Sequence, residues 1–241
     1  MTSWKLLLAA SVASLAFGGA AMAADPAPMT PSFAFNAAYS SDYTFRGLSQ
    51  TFGKPAVSGG VDMTYGQFYL GNWDSTVDFG APKQQFEFDI YGGYRAALGP
   101  VTIDFGGYYY GYTAQPKNSN QAYYEARVLP SYTSGANTLG GAFYYSPEFF
   151  GKTGQAEYYE INDAYTLKNK VTISGAVGYQ ALDKKKAGIV GYTTWNIGAT
   201  YPITDHFSID FRYVGTDGAV LKFLGSSTAG DRLVASLKAS F

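Results

Sequence analysis

FEFDIYGGYRA, residues 86–96, places an apolar or small side chain at every second position. Phe86 and Phe88 fall on one side of this stretch, and Glu87 and Asp89 fall on the other. Successive side chains of a β-strand point to opposite faces, so the alternation predicts a strand with one apolar and one polar face. The same period of two recurs along most of the chain. We therefore predict an all-β protein.

The alternating segments number about twelve. The clear ones lie at residues 86–96, 101–109, 171–180 and 207–213. Weaker ones lie at residues 33–47, 56–65, 68–77, 121–131, 137–146, 156–166, 189–201 and 231–241, and the pattern is least regular at 156–166. Tight turns alternate with longer polar links, which lie near residues 48–55, 78–85, 113–120, 147–155, 182–188 and 214–230. This arrangement is typical of an antiparallel transmembrane β-barrel with short periplasmic turns and longer extracellular loops.

Composition excludes several kinds of functional site. The 241 residues include no Cys and a single His, His206. A disulfide framework, a thiolate metal site and a cysteine nucleophile are therefore excluded, and His206 has no evident Ser partner for nucleophilic catalysis. The net charge of −1, without a basic cluster, argues against binding to nucleic acid. We expect neither an enzyme nor a cofactor.

The N-terminus has the features of an export signal. Lys5 precedes a short apolar run, and Ala21 and Ala23 fit the small-x-small rule for cleavage. The run is shorter than the roughly 20 residues that a membrane-spanning helix needs. The predicted organisation is a cleaved signal peptide at 1–23, an extended leader at 24–32 and a barrel at 33–241.

The last alternating segment ends in an aromatic residue. Its apolar face comprises Leu233, Ala235, Leu237, Ala239 and Phe241. A terminal aromatic on an alternating strand resembles the recognition signal for the outer-membrane barrel-assembly machinery. Pairing of the first strand with the last would remove the open edges of the sheet. These features predict the outer membrane of a Gram-negative bacterium, where the protein would contact the lipid bilayer and lipopolysaccharide.

Aromatic residues gather near the segment ends, and Tyr69, Trp73 and Trp195 are examples. Such clusters are typical of the aromatic girdles at the two membrane interfaces. They favour a membrane barrel over the soluble alternative, which is a lipocalin-like barrel or a sandwich with one wet face.

Charged residues on the polar faces are predicted to line the interior. An Arg or Lys that faced lipid could cost about 2–4 kcal/mol at the bilayer midplane. The predicted pore-lining residues are Asp42, Arg46, Asp62, Asp74, Glu87, Asp89, Arg95, Asp104, Glu125, Arg127, Asp210 and Arg212. Arg232 and Lys238 lie on the same polar faces.

The strand number predicts a narrow interior. About eight strands give a barrel filled by side chains and sixteen leave an aqueous channel, so twelve falls between. Gly93, Gly106 and Gly178 would leave space inside, whereas Tyr91 and Tyr108 would narrow it. We expect a pore constricted by a first or last long loop that folds inward. A lumen filled by cross-strand ion pairs is the alternative.

The end of the first predicted strand and the start of the following loop read SDYTFRGLSQT, residues 41–51. Alternation assigns Tyr43 and Phe45 to its lipid face and Asp42 and Arg46 to the lumen. At about 3.3 Å per residue, Asp42 and Arg46 are about 13 Å apart and cannot pair with each other. We expect each to meet an opposite charge on a neighbouring strand, with Gly47 beginning an inward bend of the loop. A motif that only fixes the strand–loop junction is the alternative.

SDYTFRGLSQ, residues 41–50, resembles a motif of the TorF family of outer-membrane porins. Other stretches are similar to the same family: NWDSTVDF at 72–79, DIYGGY at 89–94 and YYSPEFFG at 144–151. The resemblance covers roughly residues 35–180 and implies an envelope barrel and a pore, without indicating a solute. We therefore predict passive diffusion of ions or small polar solutes. The alternative is a non-conducting barrel whose extracellular loops, such as the aromatic segment 148–151, bind a partner or a surface polysaccharide.

Overall fold

The computed structural model describes residues 30–80 and 85–241, which form a closed antiparallel barrel. Twelve strands make up the wall. The first wall strand pairs with the last, with Asn36 opposite Ser240 and Ser40 opposite Ser236, so the sheet has no open edge. The predicted fold class is confirmed.

The wall strands are β1 (Ser32–Ser40), β4 (Ala56–Tyr65), β5 (Phe68–Val77), β6 (Gln85–Leu98), β7 (Val101–Tyr112), β8 (Tyr123–Ser134), β9 (Asn137–Ser146), β10 (Ala156–Thr166), β11 (Thr172–Leu182), β12 (Gly191–Pro202), β13 (Phe207–Thr216) and β14 (Arg232–Ser240). Two short strands, β2 (Thr44–Phe45) and β3 (Leu48–Ser49), form a separate hairpin. The loops contain a 3-10 turn (Phe150–Lys152) and the helices α1 (Lys184–Ala187) and α2 (Gly218–Leu224). Across the described ranges, no helix has the length and apolar character needed to cross a membrane.

The barrel has a short-turn end and a long-loop end, as the connector lengths predict. Two-residue turns join β4 to β5, β6 to β7 and β8 to β9, and each contains a Gly at positive φ: Gly66 (60°), Gly99 (63°) and Gly135 (59°). Long loops occupy the other end. We name them L1 (41–55), L2 (78–84, described to residue 80), L3 (113–122), L4 (147–155), L5 (183–190) and L6 (217–231).

The outer face of the barrel is apolar. Large hydrophobic side chains remain exposed on it, such as Ile161 at 70 % and Leu233 at 80 %. A soluble barrel would bury this surface, so the distribution is that of a transmembrane barrel. The alternate residues Leu233, Ala235, Leu237 and Ala239 lie on this face and Phe241 follows β14, while their role in assembly stays a prediction.

The predicted signal peptide, including Ala21 and Ala23, lies outside the described residues. The same holds for most of the predicted leader at 24–32. Both stay predictions. β1 begins at Ser32, one residue before the predicted barrel boundary.

The prediction of a first strand at 33–47 is wrong at its end. β1 ends at Ser40, and L1 then turns into the barrel and forms the β2–β3 hairpin. Tyr43 and Phe45, which were expected to face lipid, are buried at 7 % and 3 % exposure. The sequence keeps alternating through L1 although pairing with the wall stops after Ser40. Alternation alone therefore does not mark the end of β1.

The prediction of Asp74 as a pore-lining residue is also wrong. Trp73 and Ser75 border the barrel interior, so Asp74 lies on the outer face, where Asn72 donates to it at 3.4 Å. Aromatic residues near strand ends are typical of lipid-facing girdles, but Trp73 lies on the inner face, so the phase of β5 is the reverse of the predicted one. Trp73 instead packs edge-on against Tyr43 of L1, with ring centroids 5.3 Å apart.

Candidate functional site

L1 fills the long-loop half of the barrel interior. Leu48 and Gln50 of its hairpin are 0 % exposed. The amide of Ser49 donates to the carbonyl of Thr228 in L6 at 2.8 Å, and the amide of Asp78 in L2 donates to the carbonyl of Gln50 at 2.8 Å. Because two other long loops hold it, L1 forms a fixed constriction. The expected infolded first loop is present.

Arg46 anchors the tip of L1 to the far wall. Its Nη1 and Nη2 donate to the two carboxylate oxygens of Glu125 at 3.0 and 2.7 Å, and Nη1 also donates to Gln180 at 2.7 Å. The guanidinium lies 4.8 and 4.3 Å from the ring centroids of Tyr144 and Tyr158. Burial alone would lower the pKa of Arg46, but the charge and hydrogen bonds of Glu125, together with Tyr110 and Tyr123, outweigh burial and the pKa is raised. A bidentate, charge-assisted pair of this kind fixes position as well as adding energy.

Asp42 anchors the base of L1. Its Oδ2 accepts from Arg232 at 2.8 Å, and its Oδ1 accepts from the hydroxyls of Ser49 at 2.6 Å and Thr51 at 2.8 Å. Asp42 and Arg46 thus each meet an opposite charge, as expected. Arg232 is on β14, next to β1. The partner of Arg46 is instead on the distant strand β8, because L1 has left the wall.

Gly47 lies at the tip of L1 with φ at 80°. A Cβ at this position would collide with Thr194 Oγ1 and Thr216 Cγ2 and would lie 3.0 Å from the carbonyl oxygen of Gly215. Only a residue without a side chain fits so close to β12 and β13 in this backbone conformation. The inward bend itself begins earlier than expected, after Ser40.

A ladder of tyrosine rings fills the interior beside β6, β7 and β8. Tyr91, Tyr108, Tyr110 and Tyr123 stack in sequence, with ring centroids 4.6, 5.3 and 4.4 Å apart. All four side chains are buried. This side of the barrel is packed like a protein core and offers little room to a solute.

Two predicted lumen carboxylates lie behind L1. Glu87 and Asp89 share the inner face of β6 and are each 0 % exposed. The hydroxyl of Tyr43 in L1 donates to Glu87 at 3.3 Å. Burial raises the pKa of Tyr43 well above its ordinary value, so the phenol keeps its proton for this bond. Glu87 therefore contributes to the docking of L1.

Other predicted lumen charges form a network nearer the short-turn end. Asp104 accepts from the hydroxyl of Tyr69 at 2.6 Å and pairs with Arg95 at 3.3 Å and Arg127 at 3.5 Å. Arg127 also donates to the Tyr69 hydroxyl at 2.7 Å. The side chains face inward, as predicted, but they bind one another. Tyr69 belongs to this network and not to the expected girdle.

A cavity of about 360 Å³ remains beneath L1. Asp42, Tyr43 and Thr44 of L1 border it, together with the inner faces of β1, β4, β5, β13 and β14. Four of the predicted pore-lining residues border this cavity: Asp42, Asp62, Asp210 and Arg212. The others do not: Arg46, Asp74, Glu87, Asp89, Arg95, Asp104, Glu125 and Arg127.

The sequence did not indicate most of the remaining cavity wall. Asn36, Ser58 and Ser236 contribute small polar side chains, and Trp73 contributes a ring. Serine carries no charge, so the sequence does not distinguish serines that line an open cavity from serines that other side chains cover. Lys238, which alternation had placed on a polar face, also borders the cavity.

Arg212 is fully engaged at the edge of the cavity. It pairs with Asp210 at 3.1 Å and donates to Ser174 Oγ at 2.9 Å and to Asn196 at 2.6 Å.

In the part of the chain that the structure describes, no group of three or more His, Cys, Asp or Glu side chains could hold a metal ion. The wall of the cavity carries charged groups and hydroxyl groups.

A closed twelve-stranded barrel with an apolar exterior, an interior cavity that carries charged side chains and an infolded first loop has the architecture of a porin. The chain belongs to the family described as bacterial protein of unknown function (Gcw_chp), which matches residues 22–241. The comparison with curated proteins gave no match.

Two solved porins share this fold. The KdgM porin superposes with a TM-score of 0.59 at 12% identity, over 86% of this chain and 99% of that chain. The NanC porin gives a TM-score of 0.56 at 11% identity, over 87% and 99%. At these identities the likeness shows the fold. The resemblance to the TorF family stays an interpretation of the motifs.

Proposed function

We propose that this protein is a narrow channel of the Gram-negative outer membrane for ions or small polar solutes. The observation that carries the proposal is the cavity of about 360 Å³ inside a closed barrel, with charged side chains on its wall. In the proposed orientation the long loops are extracellular and the short turns are periplasmic. L1 limits the cross-section, and the charges on the cavity wall select among solutes without any covalent step.

The fold neighbours support a channel but do not transfer a solute. The KdgM porin has also been solved in complex with disordered oligogalacturonate. The cavity of this chain carries both signs of charge, with Asp62 and Asp210 beside Arg212 and Lys238. Such a wall suits small polar solutes of mixed charge better than a long polyanion.

Planar-bilayer recording of the detergent-refolded protein tests the proposal. We expect stepwise openings in simple salt. Asp62→Asn should shift the reversal potential in the direction of greater anion selectivity, because it removes a negative charge from the cavity wall. Asp74→Asn is the matched control, since it removes the same charge from the outer face and should leave selectivity unchanged. Folded protein without openings, or equal shifts in both variants, would contradict the proposal.

A non-conducting barrel is the second candidate, and the buried anchors of L1 favour it. Glu125 and Asp42 hold L1 through pairs of 2.7 and 2.8 Å that are almost inaccessible to solvent. The idea that aromatic loop residues bind a partner has less support. Phe149 and Phe150 of L4 are 1 % and 4 % exposed and pack against Tyr123, so they do not present an aromatic surface.

A further inference from the structure

We propose that the cavity beneath L1 binds small zwitterionic solutes of the amino-acid type, with the carboxylate at Lys238 and the ammonium at Asp62. The proposal names a solute class for the channel function proposed above and rests on it. Nothing in the family match or in the fold neighbours indicates such a solute.

Lys238 supplies the positive end of the site. It borders the cavity from the inner face of β14. Asp210 interacts with it electrostatically, but that carboxylate is already bound by Arg212 at 3.1 Å and by the hydroxyl of Thr200 at 2.7 Å. No described residue forms an ion pair or hydrogen bond with the Lys238 ammonium at contact distance. The ammonium therefore has a counter-charge nearby but none in contact with it, and its donors are open to an anionic group in the cavity.

Asp62 supplies the negative end. It borders the same cavity from β4 and accepts a hydrogen bond from the hydroxyl of Tyr91 at 2.7 Å. Among the described residues, no cation pairs with it. An ionised carboxylate offers about four lone-pair sites, so one neutral donor leaves most of its acceptor capacity open.

The two charged groups cannot satisfy each other. Asp62 pairs with Ala34 and Lys238 pairs with Ala38, which places them on opposite sides of β1. Four residues along β1 give about 13 Å and two strand spacings give about 10 Å, so the two Cα atoms are about 16 Å apart. Side chains fully extended toward each other would leave about 7 Å between the charges, and side chains directed into the lumen leave a wider gap.

A small ω-amino acid matches this range of gaps. Because γ-aminobutyrate spans about 5 Å between its charged groups, a contact of about 3 Å at each end bridges a gap of about 11 Å. Asn36 borders the cavity on β1 midway between Ala34 and Ala38, and its amide can bind either end of the solute. The cavity volume of about 360 Å³ lies within the roughly 300–1,000 Å³ of small-molecule sites.

Binding can be measured without a conductance experiment, because Trp73 borders the same cavity and its fluorescence reports a bound solute. We expect γ-aminobutyrate to change the tryptophan emission of the detergent-purified protein in a saturable way. Acetate and methylammonium should bind at least tenfold more weakly, since each contacts one charge only. Loss of the change in Trp73→Phe would identify the reporter, and acetate binding as tightly as γ-aminobutyrate would overturn the zwitterion site.

Lys238→Met and Asp62→Asn test the two ends separately. Each variant should weaken γ-aminobutyrate binding by about tenfold, because each removes one charge-assisted contact. Asp74→Asn removes a carboxylate from the outer face and should bind like the wild type. Wild-type binding by either Lys238→Met or Asp62→Asn, in protein that migrates as a folded barrel, would refute the assignment.

Bilayer recording separates this inference from the channel function. A barrel that conducts but shows no change in Trp73 emission would overturn the zwitterion site alone. Saturable emission changes in a folded barrel that never conducts would support the site and contradict the channel. Openings whose current falls in the presence of γ-aminobutyrate, with the fall lost in Lys238→Met, would support both.

Discussion

Arg46→Met is expected to release L1 from the far wall and to raise the single-channel conductance several-fold. Methionine keeps much of the side-chain volume between Tyr144 and Tyr158 but removes both guanidinium donors to Glu125. Glu125 is 2 % exposed, so its carboxylate loses its counter-charge in a site that water does not reach. Removing one partner of a buried ion pair costs about 3–5 kcal/mol, and displacement of L1 is the movement that would hydrate the carboxylate. Conductance and the temperature at which the barrel loses its folded gel mobility measure both effects.

The double variant Arg46→Met with Glu125→Gln is the control. It removes both charges, and the amide oxygen introduced by Glu125→Gln can still accept from the hydroxyl of Tyr110, which donates to Glu125 at 3.0 Å in the wild type. We expect most of the lost stability to return and the conductance to fall toward the wild-type value. Wild-type conductance and stability in the single variant would show that this pair does not hold L1. Equal behaviour of single and double variants would show that the unpaired charge is not the cause.

The wall of the barrel could be predicted from the sequence because a period of two is a local property. Phe86–Ala96 lies within β6, and the least regular segment, 156–166, has the bounds of β10. The same period does not say which face is inside. On β5, a tryptophan ring suits both a membrane interface and the barrel interior. Trp73 lies inside, where its ring packs against Tyr43 of L1, and the local sequence of β5 does not show that contact.

The candidate site could be predicted only in part, because side chains from other strands and loops fill some interior positions and leave others open. Gly93 and Gly106 were expected to leave space, but the Tyr69 hydroxyl occupies the space beside both. Likewise, Gly178 is covered by the hydroxyl of Tyr158. The cavity lies instead beside Ala34, Ala38 and the serines of β4 and β14, whose side chains are small.

Gly47→Ala is expected to have the second large effect, and Gly53→Ala is its matched control. Both glycines lie in L1 at positive φ, 80° and 73°. Alanine at either position therefore costs about 1–2 kcal/mol of left-handed strain. At Gly53 a Cβ meets nothing within 4 Å, whereas at Gly47 it collides with two threonine side chains of β12 and β13. Overpacking of that kind adds about 1–3 kcal/mol, so Gly47→Ala should be less stable than Gly53→Ala by that amount.

Conductance measurements then distinguish the effect of the position of L1 from the effect of the charge on Arg46. Gly47→Ala shifts the tip of L1 away from β12 and β13 without changing any ionisable group, so it should raise conductance as Arg46→Met does, while Gly53→Ala should not. Equal stability of the two glycine variants would show that the tip is not packed against the wall. If Arg46→Met raised conductance and Gly47→Ala left it unchanged, the field of the guanidinium would control ion passage. If both raised it, the constriction would lie in the position of L1, because the glycine variant retains Arg46 and Glu125.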